Sequence, residues 1–372
     1  MNYFRPKALE REQKRDLGAQ LKKLIITGGA GFIGSNFILK QIAETDNHIL
    51  NLDKLTYAGN LDNLVSVAEN PQYQFVEGDI TDATLVQSVI DDFQPDGIIH
   101  FAAESHVDRS IDGPIPFIMT NVVGSAILLD RMHNYWKGLE GQKKEDFRFL
   151  HVSTDEVFGS LGPDELFRID TPYDPSSPYS ASKAGSDHLV RAWGRTFGFP
   201  ILLTNCTNNY GPYQFPEKLI PLMVINAISG KPLPIYGDGL NIRDWLHVED
   251  HCEAIYSVFQ KGNLEETYLV GGEEEVTNLR VVESICSILD EILPSKSGKS
   301  YRDQIIYVTD RPGHDIRYAM DISKIRSDLA WGPSHTFEAG LKETIEWYLE
   351  NQEWWKVLQQ KQIYEQERLG VK

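Results

Sequence analysis

Tyr179 and Lys183, in the run Ser177-Pro178-Tyr179-Ser180-Ala181-Ser182-Lys183, are the two side chains whose types and spacing most directly suggest chemistry. On a helix, a phenol four residues ahead of an ammonium shares its face. Ser177 and Pro178 supply the cap and first turn from which such a helix starts. A free tyrosine, with a pKa near ~10, is a poor base at neutral pH. An ammonium ~5 Å away, at an effective dielectric of about 20, favours the phenolate by roughly 3 kcal/mol. The pair therefore reads as a base tuned to take a proton from an alcohol. Upstream, Thr154, Asp155 and Glu156 add a hydroxyl donor and two adjacent acids. Alcohol oxidation needs the hydroxyl but has no use for both acids. An elimination uses both: a carboxylate removes a carbon-bound proton and a carboxylic acid protonates the departing hydroxyl. Glycosidases also carry paired acids, but these flank the bond at ~5 Å or more, and neighbours on one loop are badly placed for that.

These groups need a scaffold, and the N-terminal region describes one. Leu24-Ile25-Ile26-Thr27 reads as a buried strand, followed by glycines at 28, 31 and 34 and a helical stretch from Ser35 to Glu44. That spacing lets the backbone approach a pyrophosphate at the positive end of a helix. The next strand, His48 to Asp53, ends in an acid about twenty residues past the glycines, the position that accepts from a ribose 2′-hydroxyl and favours NAD over NADP. Lys54 beside it softens that preference without reversing it. Further strands are expected at Tyr73–Asp79, Gly97–Ala103 and Phe147–Ser153, separated by helices at Thr84–Phe93 and Pro116–Trp136. Alternation of this kind predicts an α/β fold, a doubly wound parallel Rossmann-type sheet, with a smaller mixed α/β C-terminal substrate domain. Asp79, Ala102–Ser105 and Ser153–Glu156 all fall at the carboxyl ends of strands, where ligands of such sheets bind.

The 372 residues, 41% hydrophobic and 24% charged, suit a globular protein of two domains. Residues 1–20 read as a charged extension, 21–205 as the dinucleotide-binding domain with a returning segment near 240–268, and 206–372 as mainly the substrate domain. No apolar run approaches the ~18 residues of a bilayer span and no signal-peptide pattern opens the chain, so a cytoplasmic protein with no membrane partner is expected. Cys206, Cys252 and Cys286 are odd in number and widely spaced, as in a reducing compartment. The net charge of −18 argues against nucleic acid. It also means that an anionic substrate needs local cations, for which Lys218, Arg243, Arg311 and Arg317 are candidates. His247 and His251 have the spacing of a helical zinc pair, but no third ligand accompanies them, and no metal is expected. Phe337 to Leu358 places aromatics at helical spacing and is expected to pack on the core.

Seven runs together resemble the dTDP-glucose 4,6-dehydratases of the extended short-chain dehydrogenase superfamily: TGGAGFIGSNF (27–37), FAAESHVDRSI (101–111), STDEVFG (153–159), SPYSASKA (177–184), NNYGPYQFPEKLIPL (208–222), PIYGDGLNIRDWLHVEDH (234–251) and DRPGHDIRYAMD (310–321). The resemblance covers nearly the whole chain past residue 20. It implies a tightly held NAD recycled within each turnover, and a reaction in which Tyr179, with Lys183 and Thr154, oxidises the sugar at C4. Glu156 and Asp155 would then eliminate water across C5 and C6. It implies that Phe32, Ile33, Asp53, Lys54, Leu55, Thr56, Asp79, Ile80, Phe101, Ala102, Ala103, Glu104, Ser105, Thr120 and Asn209 line the NAD site with Gly28, Gly31 and Gly34. It sets Ser105, Thr154, Asn208, Lys218, Leu219, Pro234, Ile235, Tyr236, Arg243, Asn278, Asp310, Arg311, Pro312, Gly313 and His314 around the sugar nucleotide. A homodimer formed through the helix at Pro116–Trp136, apolar at Phe117, Ile118, Val122, Val123, Ile127 and Leu128, and the helix bearing Tyr179 is also implied. A UDP- or CDP-glucose dehydratase, a nucleotide-sugar 4-epimerase or decarboxylase, and a non-catalytic NAD-binding scaffold are the competing readings. The paired acids count against the epimerase and decarboxylase, and thymine over uracil rests on the likeness alone.

Overall fold

The computed structural model describes residues 22–295, 298–310 and 314–360, so the charged stretch 1–20 and Arg311, Pro312 and Gly313 lie outside the described residues. Twelve strands run through the described chain: β1 (Lys23–Thr27), β2 (His48–Asp53), β3 (Tyr73–Glu77), β4 (Gly97–His100), β5 (Arg148–Thr154), β6 (Ile201–Cys206), β7 (Asn208–Tyr210), β8 (Leu233–Tyr236), β9 (Ile242–His247), β10 (Thr267–Val270), β11 (Glu275–Thr277) and β12 (Ile305–Val308). Seven of them form one sheet in the order β10-β6-β5-β4-β1-β2-β3, parallel at every pairing. The order reverses beside β1, between β4 and β2, which opens a crevice at the carboxyl ends of the strands.

A parallel sheet is covered on both faces, and the strand sequences reflect it as continuous apolar runs. Leu24 and Ile26 join Phe37, Ile38, Ile255 and Phe259 on one side, under the helices Phe32–Glu44 and Val248–Lys261. Ile25 and Leu50 join Val86, Ile90, Leu128, Met132 and Val190 on the other, under Ala83–Phe93, Pro114–Lys137 and Pro178–Phe197. Helix starts follow local chemistry. Asp82 accepts from the amides of Thr84 and Leu85, and Ser177 and Ser180 form a reciprocal capping box with Pro178 in the first turn.

The helix Pro114–Lys137 differs from expectation in two ways. Its 24 residues are long and apolar enough, by length and composition, to cross a bilayer, although no such segment was expected. It also loosens into π-type turns at Ile118–Gly124. Phe117 and Leu128 turn inward rather than toward a partner, whereas Ile118 is exposed.

The second core gathers the helices Leu219–Ile228, Asn278–Ile292 and Phe337–Glu350 around Val224, Ile285, Leu341 and Trp347. They back a three-stranded sheet, β11-β9-β7, and the parallel pair β12-β8. Beyond Phe337–Glu350 the chain continues in a further helix, Gln352–Gln360. The return to the large sheet consists of Val248–Lys261 and the edge strand β10, while Ile242–His247, expected to return with them, stays in the small sheet as β9. Replacing Ser177 with Ala removes the cap of the helix bearing Tyr179 and Lys183. The expected loss is about 1 kcal/mol, read as a lower urea-denaturation midpoint.

Candidate active site

The glycine turn is shaped by contacts that exclude side chains. Gly28 has φ +72°, and a Cβ there would lie 2.6 Å from the Ala102 amide nitrogen. A Cβ on Gly34 would lie 2.4 Å from the Gly28 carbonyl oxygen. Gly31 caps the helix Phe32–Glu44 without any side-chain cap bond, so the first amides of that helix face the cleft unspent. Asp53 is buried, with Oδ2 accepting from the Ala30 amide at 2.9 Å and Oδ1 from the Leu55 amide at 2.8 Å. Its carboxylate thus braces the turn as well as lining the cleft, and burial pushes its pKa up. Lys54 reaches Asp79 at 2.5 Å across the rim; burial would raise the Asp79 pKa, but the Lys54 hydrogen bond and charge hold it down. Of the expected cofactor residues, all but Leu55 line a cleft of about 320 Å³. These residues fit a dinucleotide: two glycines that admit no side chain, an uncapped helix start for the diphosphate, and a buried acid at the end of β2.

The same cleft takes in Thr154, Asp155, Glu156, Tyr179 and Lys183. Thr154 ends β5, and its Oγ1 donates to Asp155 Oδ1 at 3.1 Å while accepting from the Glu156 amide at 3.3 Å. Burial, then the Glu156 carboxylate, push the Asp155 pKa well above the usual range. Its Oδ2 is buried with no hydrogen-bond partner among the described residues. Tyr179 is also raised well above its ordinary value, by burial and then by Glu156, and a hydrogen bond with Thr154 acts the other way.

Lys183 departs from the helix-face expectation. Its ammonium donates to the Val152 carbonyl at 2.9 Å and lies 3.5 Å from His151 Nε2, and its charge is not among the leading influences on the phenol. The long side chain reaches past the shared face to β5, and burial lowers its own pKa. Beneath it Asp187 pairs with His151 at 3.2 Å and accepts from Ser153, Tyr173 and Asn205, locking β5, β6 and the helix Pro178–Phe197 together.

A second cleft of about 180 Å³ opens beside the first and shares Ser105, Glu156, Asn208, Glu217 and Lys218 with it. Leu219, Pro234, Ile235, Tyr236, Arg243, Asn278 and His314 also line it, whereas Thr154 lines only the first cleft. Asp310 lines neither and instead holds His314 Nδ1 at 2.7 Å. Arg243 lies over the Tyr318 ring at 4.2 Å and donates to the carbonyls of Ile242 and Asp315. Arg317, proposed as a substrate cation, instead clamps Glu275 at 2.6 and 2.8 Å and two loop carbonyls, and lines neither cleft.

Two residues escaped the sequence reading. Glu217, buried where the clefts meet, accepts from Tyr57 Oη at 3.1 Å and lies 3.7 Å from His106 and 3.9 Å from Arg109. An acid between Pro216 and Lys218, just ahead of the apolar stretch Leu219 to Leu222, was the available signal. Asn121, in the π-type turns, accepts from the Glu104 amide at 2.9 Å and donates to Ser182 at 2.8 Å. It fastens the loop after β4 to the helix bearing Tyr179.

His247 and His251 do not share a helix. His247 ends β9 and caps Val248–Lys261, and His251 Nδ1 meets Asn209 Oδ1 at 2.8 Å. The metal-capable group among the described residues is His247, His335 and Glu343, within 4.8 Å of one another. There the His335 ring lies tilted against His247 with centroids 4.2 Å apart, and its Nδ1 meets Asp250 at 2.9 Å. That hydrogen bond raises the His335 pKa; burial would raise Asp250, but His335 and Ser334 draw it down to about 2. The raised His335 contributes stability fully present below its unfolded pKa of ~6.5 and lost as pH rises through the higher folded value. The depressed Asp250 contributes stability lost only as pH falls toward about 2. In His335→Gln, thermal midpoints measured from pH 6 upward are expected to start lower and to lose this alkaline decline.

A parallel sheet whose switch point carries a glycine cradle, opening onto a tyrosine, a lysine and paired acids, defines a dinucleotide-binding α/β protein. The chain belongs to the family described as GDP-mannose 4,6 dehydratase, whose model matches residues 25–344. It is 54% identical over 354 residues, 94% of this chain and 99% of the relative, to the dTDP-glucose 4,6-dehydratase of Neisseria meningitidis serogroup B. It is 57% identical over 330 residues, 89% of this chain and 94% of the relative, to that of Xanthomonas campestris pv. campestris. Among solved structures, the dTDP-glucose 4,6-dehydratase of Bacillus anthracis in complex with NAD is similar, with 46% identity and a TM-score of 0.81 over 90% of this chain and 99% of that one. That of Streptomyces venezuelae, also with NAD bound, is 44% identical with a TM-score of 0.83 over the same shares.

Proposed function

We propose that the chain dehydrates dTDP-glucose to dTDP-4-keto-6-deoxyglucose and water, with a tightly held NAD that is restored in every turnover. The observation that carries this reading is the buried Asp155, its pKa pushed well up by burial and then by Glu156, in the same cleft as Tyr179, with Glu156 itself where the two clefts meet. Curated relatives at 54–57% identity carry that activity as their name, and solved relatives hold NAD. Bound NAD supplies the hydride acceptor for C4 and the donor for C6, and its cationic ring favours the Tyr179 phenolate. Tyr179 Oη takes the C4 hydroxyl proton while Thr154 donates to it. Once C4 is a carbonyl, the C5 proton is acidic and Glu156 removes it. Asp155 then protonates the C6 hydroxyl as it leaves. The order is forced, since elimination is feasible only after C4 is oxidised. Lys183 anchors the helix of Tyr179 to β5 and adds positive charge beneath the cofactor site.

In the second cleft Arg243 takes the diphosphate with a guanidinium suited to two bonds, assisted by Lys218, while Pro234 to Tyr236 and Asn278 hold the nucleoside. Residues 21–205 with the returning 248–270 serve the cofactor and most of the remainder serves the substrate. A homodimer through the helices Pro114–Lys137 and Pro178–Phe197 is favoured by their exposed apolar residues, with Ile115 at 67% and Met119 at 46%. Three buried free thiols favour a reducing, cytoplasmic compartment.

The test is incubation with dTDP-, UDP- and CDP-glucose in heavy water. The expected result is a 4-keto-6-deoxy product from dTDP-glucose bearing deuterium at C5; a preference for another base, or no ketone, overturns the reading. In Glu156→Gln, C4 oxidation is expected to proceed while elimination falls by roughly 10²-fold or more. Single-turnover absorbance then rises at the reduced-nicotinamide band and stays; no rise despite intact substrate binding counts against the assignment.

A further inference from the structure

His247 leaves a buried nitrogen unanswered. The residue is 3% exposed, and its Nε2 has no hydrogen-bond partner among the described residues. Its Nδ1 meets the Glu249 amide at 3.4 Å, longer than an ordinary hydrogen bond, so little fixes the ring proton on either nitrogen. Spacing in the chain pairs this histidine with His251 as a ligand candidate. The fold instead sets it against His335 and Glu343, with one ligand atom of each residue within 4.8 Å of the others.

The surroundings hold these groups in place. The edge of the His247 ring that carries Nε2 faces the helix Phe337–Glu350, where a Cβ on Gly340 would lie 3.2 Å from the neighbouring Cδ2. Glu343 stands three residues on from Gly340 and so shares its helix face. His335 donates or accepts through Nδ1 at 2.9 Å from Asp250, whose carboxylate also accepts from the amides of Ser334 and His335 at 3.1 and 3.0 Å. That leaves His335 Nε2 pointing toward Glu343 Oε2, 3.9 Å away, and Glu249 Oε2, 4.0 Å away. A carboxylate behind one imidazole nitrogen, with the other nitrogen facing outward, is the arrangement that orients histidine toward metals.

We propose that His247 Nε2, His335 Nε2 and the Glu343 carboxylate form a zinc site. Two imidazoles and a carboxylate suit zinc, whose bonds of ~2.0–2.1 Å set tetrahedral ligands about 3.4 Å apart. The exposed Glu343 side chain closes the remaining gap by turning inward, and binding displaces the His335 Nε2 proton to solvent. His335 is only half-buried, so the ion enters from the surface and water takes the fourth position. None of the three residues lines either cleft, and the site is therefore structural. The ion ties the helix Phe337–Glu350 to the end of β9. There His247 lies opposite Tyr210 of β7, the strand that presents Asn208 and Asn209 to the clefts.

The test uses the NAD-loaded full chain, stripped with EDTA, dialysed and titrated with zinc chloride. Saturation at one zinc per chain is expected, with a thermal midpoint that rises with free zinc. Cobalt chloride in its place is expected to give the visible bands of a tetrahedral ion. Losing a partner behind a ligand already weakens metal sites by about 10–100-fold, so Glu343→Gln and His335→Gln are each expected to weaken zinc by at least about tenfold. No saturable binding by the wild type overturns the site, as does zinc affinity in both variants equal to that of the wild type. Should His335→Gln fail to fold, Glu343→Gln, at an exposed position, decides alone. Zinc binding is read without substrate, so the site and the dehydratase reading fail separately.

Discussion

Two carboxyl groups on neighbouring residues, enclosed where water is scarce, cannot both ionise at low cost. That constraint sets everything else in the site. Asp155 is the more buried of the pair, and burial, then the Glu156 carboxylate beside it, push its pKa well above the usual range, which suits it to the role of proton donor. The division of labour follows from depth in the fold, since the two side chains belong to the same short turn after β5. Asp244, also buried and raised to about 6, adds negative field from behind. A tyrosine in the same cleft inherits that field, and its phenol is driven up by burial and Glu156. Positive charge must therefore arrive with a ligand before the phenol acts as a base.

The scaffold serves this arrangement by rigidity. Asp187, held down by its contacts with His151, Lys183 and Ser153 despite full burial, ties two central strands to the helix that carries Tyr179. Asn121 ties the same helix to the loop after β4. The π-type turns at Ile118–Gly124 present Thr120 to the cofactor cleft and Asn121 to the helix on consecutive positions. A regular helix would rotate them differently, which is how such turns come to sit at functional sites.

Much of this was legible in the chain because parallel sheets demand apolar runs and glycine turns demand particular spacings. β1, β2 and the helix after Gly31 stand where the pattern set them, and nearly every described residue expected around the two clefts lines one of them. What the sequence could not supply was the choice among acceptors. Helical spacing brought Tyr179 and Lys183 to one face, but whether the ammonium meets the phenol or a strand carbonyl depends on how far the helix stands from β5. Glu217 carried no periodic signal, because a single buried acid is recognised only by the partners that satisfy it. The π-type turns shifted the inward and outward faces of Pro114–Lys137, so Phe117 packs edge-on to Tyr179 instead of facing outward.

The cations make the same point about partners. A protein of net charge −18 binds an anion only where a positive group is not already neutralised. Arg317 resembles Arg243 in sequence context, yet its guanidinium is matched by both oxygens of Glu275 and two carbonyls, leaving little for a ligand. Arg243 is oriented by neutral acceptors, the carbonyls of Ile242 and Asp315, and by the face of Tyr318, and it forms no ion pair among the described residues. Backbone carbonyls fix its plane without cancelling its charge. A guanidinium held in that way, in the wall of the second cleft, retains the field that an anionic substrate needs to enter an acidic protein.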